Sequence, residues 1–541
     1  MNNVIDTTCI DHLFDKFTQP GSPGCALGVI NKGDLIFKKG YGLANLEYEI
    51  PITPSTIFPV ASMSKQFTAF AIALLADSKK LSLDDDVRSY IPEFPDFGKP
   101  ITIRHLIHHT SGLRSDLMLL LAAGWRLEDV ITNNDILDLV KRQQDLNFSP
   151  GEKFSYSGTG YILLAFIVER VSGLPFAEFC HSRIFKPLGM VKSLFQEDPL
   201  QVIKERAYAY YATKDKFRNA VLTCSLFGGT GLYTTIEDLT LWDKNMYSGQ
   251  VGGSEVIKLI HQTGVLNDGT HIDYAFGQML STHMGVKTVV HGGDGAGIHS
   301  FMMRFPDEYF SVVLLGNLNT INAQGLVSQV ADLYLADRQS DQPSSTVTPK
   351  TPELPKEHLD SLVGRYFNAD SSTFADIELK NGMLNVWGFD ILPINNFDFV
   401  FAASPDDTSA TFFPAIDTSP MQVKLDIGMG PTIYSRSEIF TPSIEELKTY
   451  AGLYYSPELC LSWEIDLEGN QLWITRPRQG SSSLSPMIKD VFSNSWLEPI
   501  LHMPSKPWVI SFDRDLSGKI SGFRITDSAG TMRNIKFAKR K

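Results

Sequence analysis

The sequence predicts an α+β protein: an antiparallel sheet flanked by helices with a helical subdomain, followed by two small antiparallel β-barrels. Three observations predict this class. Strand pairs occur at both ends of the front part, helical periodicity fills the stretch between them, and the back part repeats a strand pattern at a constant offset of 88 residues. With 541 residues, the chain is also too long for a single core.

The front part begins and ends with strand pairs. Residues 26–30 and 35–39 have the pattern of a hairpin, and residues 302–305 with 310–315 have the pattern of another. Helical stretches between them are predicted at residues 67–75, 102–108, 161–171 and 236–247. The two ends of this part are therefore expected to contribute to one antiparallel sheet.

A polar, proline-rich stretch at residues 338–356 predicts an exposed linker. It separates a front domain, residues 1–337, from two β-barrel domains at residues 357–440 and 441–541. The barrels are predicted because apolar positions recur in both, and closure removes exposed strand edges. Matched pairs are Gly364 with Gly452, Tyr366 with Tyr454, Ile377 with Ile465, and Leu379 with Leu467.

Composition and charge narrow the partners. The formal charge of −13 disfavours nucleic acid and anionic membranes, so a small molecule or short peptide is expected. The N-terminus has no basic flank before an apolar core, and no run of about eighteen apolar residues occurs, which predicts a cytoplasmic protein without a membrane span. The five scattered cysteines are expected to be buried free thiols. The oligomeric state does not follow from the sequence.

The most informative motif is Ser62-Met63-Ser64-Lys65, where an extended stretch meets an apolar run. On a helix, Ser62 and Lys65 share one face, which places the amine beside the hydroxyl. A serine becomes a nucleophile when a neighbouring group takes its proton, and a lysine assists when its charged form is disfavoured. The same spacing also fits a helix N-cap followed by a solvated lysine.

Two further clusters can complete such a site. A glycine- and serine-rich loop at residues 151–160 presents the phenol of Tyr156, which can take a serine proton beside a lysine ammonium, or can simply pack. The run His291-Gly292-Gly293-Asp294 lets a ligand approach and leaves the amide of Asp294 to face an oxyanion. A flexible turn with an incidental histidine is the alternative.

The histidines at positions 105, 108 and 109 have helical spacing that can suit zinc. No acidic or cysteine ligands accompany them, and the run His109-Thr110-Ser111-Gly112 is more typical of a helix end. The sequence therefore predicts no metal and no cofactor.

In their order along the chain, these clusters resemble the serine hydrolases of the penicillin-binding fold: class C β-lactamases, DD-peptidases, D-aminopeptidases and related esterases. Residues 106–113, 148–151, 188–190 and 228–232 share the likeness, which runs to about residue 337. The resemblance implies a β-lactamase/transpeptidase-like domain followed by lipocalin-like barrels.

The resemblance also implies a role for each matched residue. Ser62 would be the nucleophile, Lys65 the amine that assists it, and Tyr156 the partner base. His291 stands where β-lactamases have the lysine of their K-T-G motif. The amides of Ser62 and Asp294 would form the oxyanion hole. The implied oxyanion-hole and substrate-binding residues are Ser62, Gly158, Gly292, Gly293 and Asp294.

Two departures from the family pattern bear on the substrate. Relatives that act on lactams or peptides usually carry Y-x-N, whose asparagine holds the substrate's acyl-amide group. Gly158 takes that position here, which weakens the case for a lactam and favours esterase-like or acyl-transferring relatives. The two barrels are similar to the D-aminopeptidase layout, in which barrel loops restrict entry.

These features together predict a serine hydrolase that forms an acyl-enzyme on Ser62 and acts on short D-amino acid amides or peptides. A carboxylesterase or acyltransferase of the same fold is one alternative. A catalytically silent scaffold that keeps the fold for binding is the other.

Overall fold

The chain folds around one antiparallel sheet and two closed barrels. The computed structural model describes residues 7–126, 128–221, 223–335, 352–402, 408–426, 431–438, 440–494, 508–527 and 529–540. The sheet belongs to one unit and the barrels to a second. Most of the predicted linker, residues 338–351, lies outside the described residues.

The sheet has six strands and joins the two sequence ends of the front part. Its strands are β1 (Cys25–Asn31), β2 (Asp34–Tyr41), β3 (Met279–His283), β4 (Val286–Gly295), β5 (Ile298–Phe305) and β6 (Phe310–Gly316). They lie in the order β3, β4, β5, β6, β1, β2, and every neighbouring pair is antiparallel. Both predicted hairpins are confirmed as neighbours in this sheet.

Helices and short strands alternate between the two halves of the sheet. The α-helices before the barrels are α1 (Thr7–Leu13), α2 (Lys65–Asp77), α3 (Ile103–Ile107), α4 (Asp116–Ala122), α5 (Asn133–Val140), α6 (Gly158–Ser172), α7 (Phe176–Cys180), α8 (Lys186–Leu188), α9 (Ile236–Ser248), α10 (Gly253–Leu259) and α11 (Ala323–Leu335). Short strands lie at Leu43–Asn45, Ile50–Pro51, Phe58–Pro59, Ile131–Thr132, Leu194–Phe195, Tyr210–Ala212, Phe217–Asn219, Cys224–Ser225 and Leu232–Thr234.

The sheet is covered on both faces, which explains why β1 is apolar at nearly every position. Leu27 and Val29 point to a core shared with α1 and α11. On the other face, α9 comes so close that a Cβ on Gly28 would lie 2.4 Å from Ile236. A glycine fits there because the Ile236 side chain packs directly against the strand backbone.

The site is positioned by α2 and α6, which pack against each other in the interior. Both helices are apolar around their circumference and buried along most of their length, as expected for central helices. All four predicted helices are confirmed. The helix at residues 102–108 ends at Ile107, and His109 has a left-handed backbone with φ of 57°.

The barrels are formed by eight described strands each. The first barrel has α12 (Lys356–Leu362) and strands β7 (Gly364–Asn368), β8 (Thr373–Lys380), β9 (Met383–Val386), β10 (Phe389–Pro393), β11 (Asp398–Phe401), β12 (Ser409–Phe413), β13 (Gln422–Asp426) and β14 (Thr432–Arg436). The second has α13 (Ile444–Tyr450) and strands β15 (Gly452–Ser456), β16 (Leu461–Glu468), β17 (Gln471–Arg476), β18 (Gly480–Ile488), β19 (Val491–Asn494), β20 (Trp508–Arg514), β21 (Ile520–Asp527) and β22 (Ile535–Lys539).

The two barrels repeat at the level of strand register. Gly364 pairs with Ile377 in the first barrel, and Gly452 pairs with Ile465 in the second, at the predicted offset of 88 residues. A tyrosine hydroxyl also ties each first strand to the preceding helix: Tyr366 donates to the carbonyl of Leu362, and Tyr454 donates to that of Tyr450. The repeat therefore includes the hydrogen bond between the first strand and the preceding helix in both barrels.

The cysteines differ from the expectation. All five are free, but Cys9 and Cys460 are exposed, and only Cys25 and Cys180 are fully buried. Small apolar character does not guarantee burial, because Cys460 lies at a turn with φ of 57°. Within the described residues, no helix is long and apolar enough to cross a bilayer.

Candidate active site

Ser62 lies in a short 3-10 turn, Ala61–Ser64, that leads directly into α2. The preceding Ala61 has φ of 45°, an unfavourable left-handed backbone for a residue with a side chain. Ser62 is the second residue of the turn, and N–H groups of a first turn have no partner within their own helix. The strained backbone at Ala61 thus leaves both the hydroxyl and the amide of Ser62 at the start of α2.

The Lys65 amine lies beside this hydroxyl. Its Nζ is 3.1 Å from Ser62 Oγ and donates a 2.8 Å hydrogen bond to the carbonyl of Gly229. The Lys65 residue is only 2% exposed. The alternative of a solvated lysine after an N-cap therefore does not hold.

The turn at residues 228–231 supplies the second acceptor for Lys65, which sequence reasoning did not assign. Thr68 of α2 donates to the carbonyl of Gly228, and the amide of Leu232 donates to Ser64 Oγ. A Cβ on Gly228 would lie 2.5 Å from the carbonyl of Tyr161. The glycines thus let this turn approach α2 and α6 closely enough to hold the amine.

Aromatic rings surround the amine on its remaining sides. Lys65 Nζ lies 4.9 Å from the ring centroid of Tyr156 and 5.6 Å from that of Tyr161, within the range of cation–π attraction. Tyr156 is 37% exposed, so it is both in contact with Lys65 and open to solvent. We call the surrounding group the aromatic cluster, and its members are His109, Tyr156, Tyr161, Tyr274 and His291.

His109 packs against Tyr156 and the segment that carries it. Its Nδ1 accepts from the amide of Ser157 at 3.2 Å, and its ring centroid is 4.3 Å from that of Tyr156. Burial, reinforced by the charge of Lys65, holds the pKa of His109 well below its ordinary value. Among the described residues, no group of three or more metal-ligating side chains occurs.

His291 is a neutral, buried member of the same cluster. Its Nδ1 donates to the carbonyl of Gly292, and its Nε2 accepts from the hydroxyl of Tyr274 at 3.1 Å. Burial, and then the nearby Lys65, lower the pKa of His291 to about 4. This position therefore supplies a polar but uncharged side chain at neutral pH, unlike the lysine of a K-T-G motif.

The glycines after His291 are part of β4 rather than a flexible turn. Gly292 pairs with Phe301, and Gly293 pairs with Ser300, in the ladder between β4 and β5. A Cβ on Gly293 would lie 2.1 Å from the carbonyl of Val60 and 3.0 Å from the amide nitrogen of Ser62. The strand therefore passes against the turn that carries Ser62, and this contact brings the Asp294 backbone near the Ser62 amide. The Asp294 side chain is exposed and accepts from His299.

Comparison with known proteins identifies the family of the chain. A family profile described as Beta-lactamase matches residues 10–334, which is more than half of the chain. The chain belongs to the beta-lactamase family. Its relatives include hydrolases of the β-lactamase and penicillin-binding fold, and this beta-lactamase family member is a serine hydrolase of that fold.

Individual relatives match different fractions of the chain. Penicillin-binding protein 4* of Bacillus subtilis (strain 168) is 30% identical over 369 residues, covering 65% of this chain and 81% of that protein. D-aminopeptidase of Brucella anthropi is 24% identical over 515 residues, covering 93% of each chain. In fold, the octameric penicillin-binding protein homologue from Pyrococcus abyssi has a TM-score of 0.56 at 21% identity, covering 87% of this chain and 98% of that chain.

The beta-lactamase family member differs from the Y-x-N pattern at Gly158, and the structure shows what occupies the neighbouring space. A Cβ on Gly158 would lie 2.6 and 2.7 Å from the two carboxylate oxygens of Asp116, the first residue of α4. Sequence reasoning missed Asp116 because no local pattern links it to a position 42 residues later. The two residues meet only through the packing of the helical subdomain.

Proposed function

We propose that this beta-lactamase family member hydrolyses short D-amino acid amides or peptides through an acyl-enzyme on Ser62. The observation that carries the proposal is the buried amine of Lys65, 3.1 Å from Ser62 Oγ. A buried amine beside a hydroxyl is the arrangement that activates a serine without a metal ion. The substrate is a small molecule or short peptide.

The first chemical step is acylation. Ser62 Oγ attacks the carbonyl carbon of the substrate, and its proton passes to the pair formed by Lys65 and Tyr156. The carbon–nitrogen bond then breaks, and the amine leaves with that proton. The amides of Ser62 and Asp294 stabilise the oxyanion, because β4 brings the Asp294 backbone near the turn before α2.

The second step is deacylation. A water molecule attacks the ester carbonyl, giving up a proton to the same pair, and the bond to Ser62 Oγ breaks. The carboxylic acid leaves and Ser62 recovers its proton. His291 contributes an uncharged polar group at the edge of the site, since its pKa of about 4 keeps it neutral at pH 7.

The D-amino acid preference is supported by the relative that matches nearly the whole chain, a D-aminopeptidase that covers 93% of it. Ester hydrolysis or acyl transfer is the second candidate. It is favoured by Gly158, because a site without the asparagine amide makes fewer demands on the acyl group.

Labelling of the nucleophile tests the proposal. A fluorophosphonate adds to the active serine with loss of fluoride, so wild-type protein should gain the probe mass on the peptide that contains Ser62. The S62A variant should gain none and should lose turnover of D-amino acid amides and esters. The matched control is S254A, which removes an exposed serine and should be labelled like the wild type. Turnover that survives in S62A would overturn the proposal, and so would an unlabelled wild type.

A further inference from the structure

We propose that Asp116 binds the protonated amino group of the substrate and thereby restricts the site to acyl groups that carry a free α-ammonium. This inference rests on the proposed function of Ser62, and it names the recognition element that the sequence did not reveal. It follows from where Asp116 lies, from what its carboxylate contacts, and from what the family pattern places in the same space.

The position is fixed by close contacts around Gly158. Both carboxylate oxygens of Asp116 lie where a Cβ on Gly158 would collide with them. A Cβ on Gly229 would be 3.7 Å from Gly158 Cα and 3.8 Å from Lys65 Nζ, so Gly158 also lies close to the amine next to Ser62. The Asp116 carboxylate thus takes the space that a side chain at residue 158 would need, near enough to Lys65 to feel its charge.

The carboxylate is held in place without a cationic partner. It accepts from the backbone N–H groups of Leu117 and Gly158, which orient it. Burial raises the pKa of Asp116 and the charge of Lys65 opposes that effect. Among the described residues, no lysine, arginine or histidine forms an ion pair with it. Asp116 remains partly exposed, as are Ser62 and Gly158.

A carboxylate in place of the family's asparagine amide changes which group of the substrate binds best. An asparagine amide both donates and accepts, so it suits the acyl-amide group that N-acylated substrates carry next to the reacting carbonyl. A carboxylate only accepts. It attracts an ammonium at that position through charge-assisted hydrogen bonds, and it repels the carbonyl oxygen of an N-acyl group. The pair of Gly158 and Asp116 therefore favours a free amine and disfavours its acylated form.

Asp116 also begins α4, so a purely structural role must be separated from recognition. The D116N variant keeps an acceptor for the backbone N–H groups and removes the charge. D116E keeps the charge and serves as the rescue variant. D135N is the matched control, because Asp135 accepts from the amide of Thr132 and so caps the start of another helix, α5, with a carboxylate. Thermal unfolding of all three reports any loss of folding.

The substrates are matched pairs: D-phenylalanine methyl ester and its N-acetyl derivative, and the same two L-esters, assayed at pH 7. We expect the wild type to favour the free amine. In D116N, kcat/KM for the free amine should fall about 10- to 100-fold, the range of a hydrogen bond to a charged group, while the N-acetyl ester changes less than about threefold. D116E should recover part of the preference, and D135N should keep all of it.

The reciprocal variant D116S/G158N is a second test of the assignment of Asp116. It restores an asparagine at residue 158 and removes the carboxylate that would collide with it, so kcat/KM for the N-acetyl ester should rise. A wild type without amine preference, or an equal loss for both esters in D116N, would overturn the assignment of Asp116 while Ser62-dependent turnover persists. Turnover that survives in S62A would overturn the proposed function as well.

Discussion

The interior around α2 and the interior of the first barrel are built on different principles. Ionisable side chains converge in or beside the space next to Ser62, among them Lys65, His109, Asp116, Tyr156 and His291. In the described residues of the first barrel, the buried positions hold no charged side chain, and rings such as Tyr366, Phe399 and Phe412 fill the core.

The difference shows what each interior is for. The core of the first barrel is stabilised by apolar area and ring contacts, and an unpaired charged group there would cost free energy. The front part buries several ionisable groups next to Ser62, where carbonyls, amides and aromatic faces contact them. Concentration of shifted ionisable groups in a cleft is typical of a catalytic site.

The largest expected effect is on the rate when the buried amine is removed. K65A should lower kcat/KM about 10²- to 10⁴-fold, because the proton of Ser62 loses its acceptor pair. Steady-state kinetics on D-phenylalanine methyl ester measures it, with unfolding followed by circular dichroism to show that the fold persists. K79A is the control, since Lys79 is exposed at the end of α2 and should leave the rate unchanged. If K79A lost as much kcat/KM as K65A, the loss could not be assigned to the buried amine.

The next effect should be on stability alone and should come from the barrel. F412A removes a ring that is 1% exposed and lies 5.5 Å from the ring of Phe399. It should lower the free energy of unfolding of the first barrel by about 3–5 kcal/mol. Denaturant unfolding followed by near-ultraviolet circular dichroism checks this. A loss below about 1 kcal/mol would mean that the barrel core is not held by ring packing.

Much of the fold and part of the site could be predicted from sequence because their signals are local. The spacing of Ser62 and Lys65 sets their contact through one helical turn, and the repeat at 88 residues sets two barrels with the same register. The order of the motifs along the chain predicts that Tyr156 and His291 belong to the same site, and their rings lie 6.3 Å apart.

The remaining site residues depend on contacts between distant segments. The carbonyl of Gly229, the ring of His109 and the carboxylate of Asp116 meet the site only after the helices pack. No periodicity encodes such contacts, and a backbone carbonyl leaves no trace in side-chain patterns. The sequence offers only a zinc ligand or a helix end for His109, because its neighbours in sequence are histidines, whereas its neighbours in space are tyrosines.

Acid should lower the free energy of unfolding of the front part more than that of the first barrel. Burial lowers the pKa of His108 to about 4, and the side chain is tied to the carbonyl of Tyr274. Since the unfolded chain binds the proton near pH 6.5, this histidine stabilises the fold above that pH, and the contribution is lost as pH falls towards 4. The loss should reach about 3 kcal/mol. Denaturant unfolding at pH 7, 5.5 and 4.5 measures it.

Two histidine variants and the first barrel serve as controls for the acid effect. H108N keeps a donor for the Tyr274 carbonyl but does not titrate, so it should remove the share of His108 from the pH dependence. His109, His261 and His291, whose pKa values are also lowered by burial, should keep theirs. H12N should not, because the His12 side chain is 75% exposed. The unfolding of the first barrel should not show a histidine-dependent loss over the same interval, since no histidine is buried in its described residues. An equal acid response in both regions would contradict the comparison.

The smallest expected effect concerns backbone strain, which the two regions also use differently. In the first barrel, Asn381 has φ of 51° in the turn between β8 and β9, a conformation that asparagine tolerates. Ala61 has φ of 45° without such a turn, directly before Ser62. A61G should relieve this strain and raise the free energy of unfolding by about 1 kcal/mol, whereas N381G should change it by a few tenths at most. If A61G gains stability and loses turnover, the strain at Ala61 serves to fix the amide of Ser62. If neither variant changes stability, the strained entry to α2 contributes nothing to the difference between the two regions.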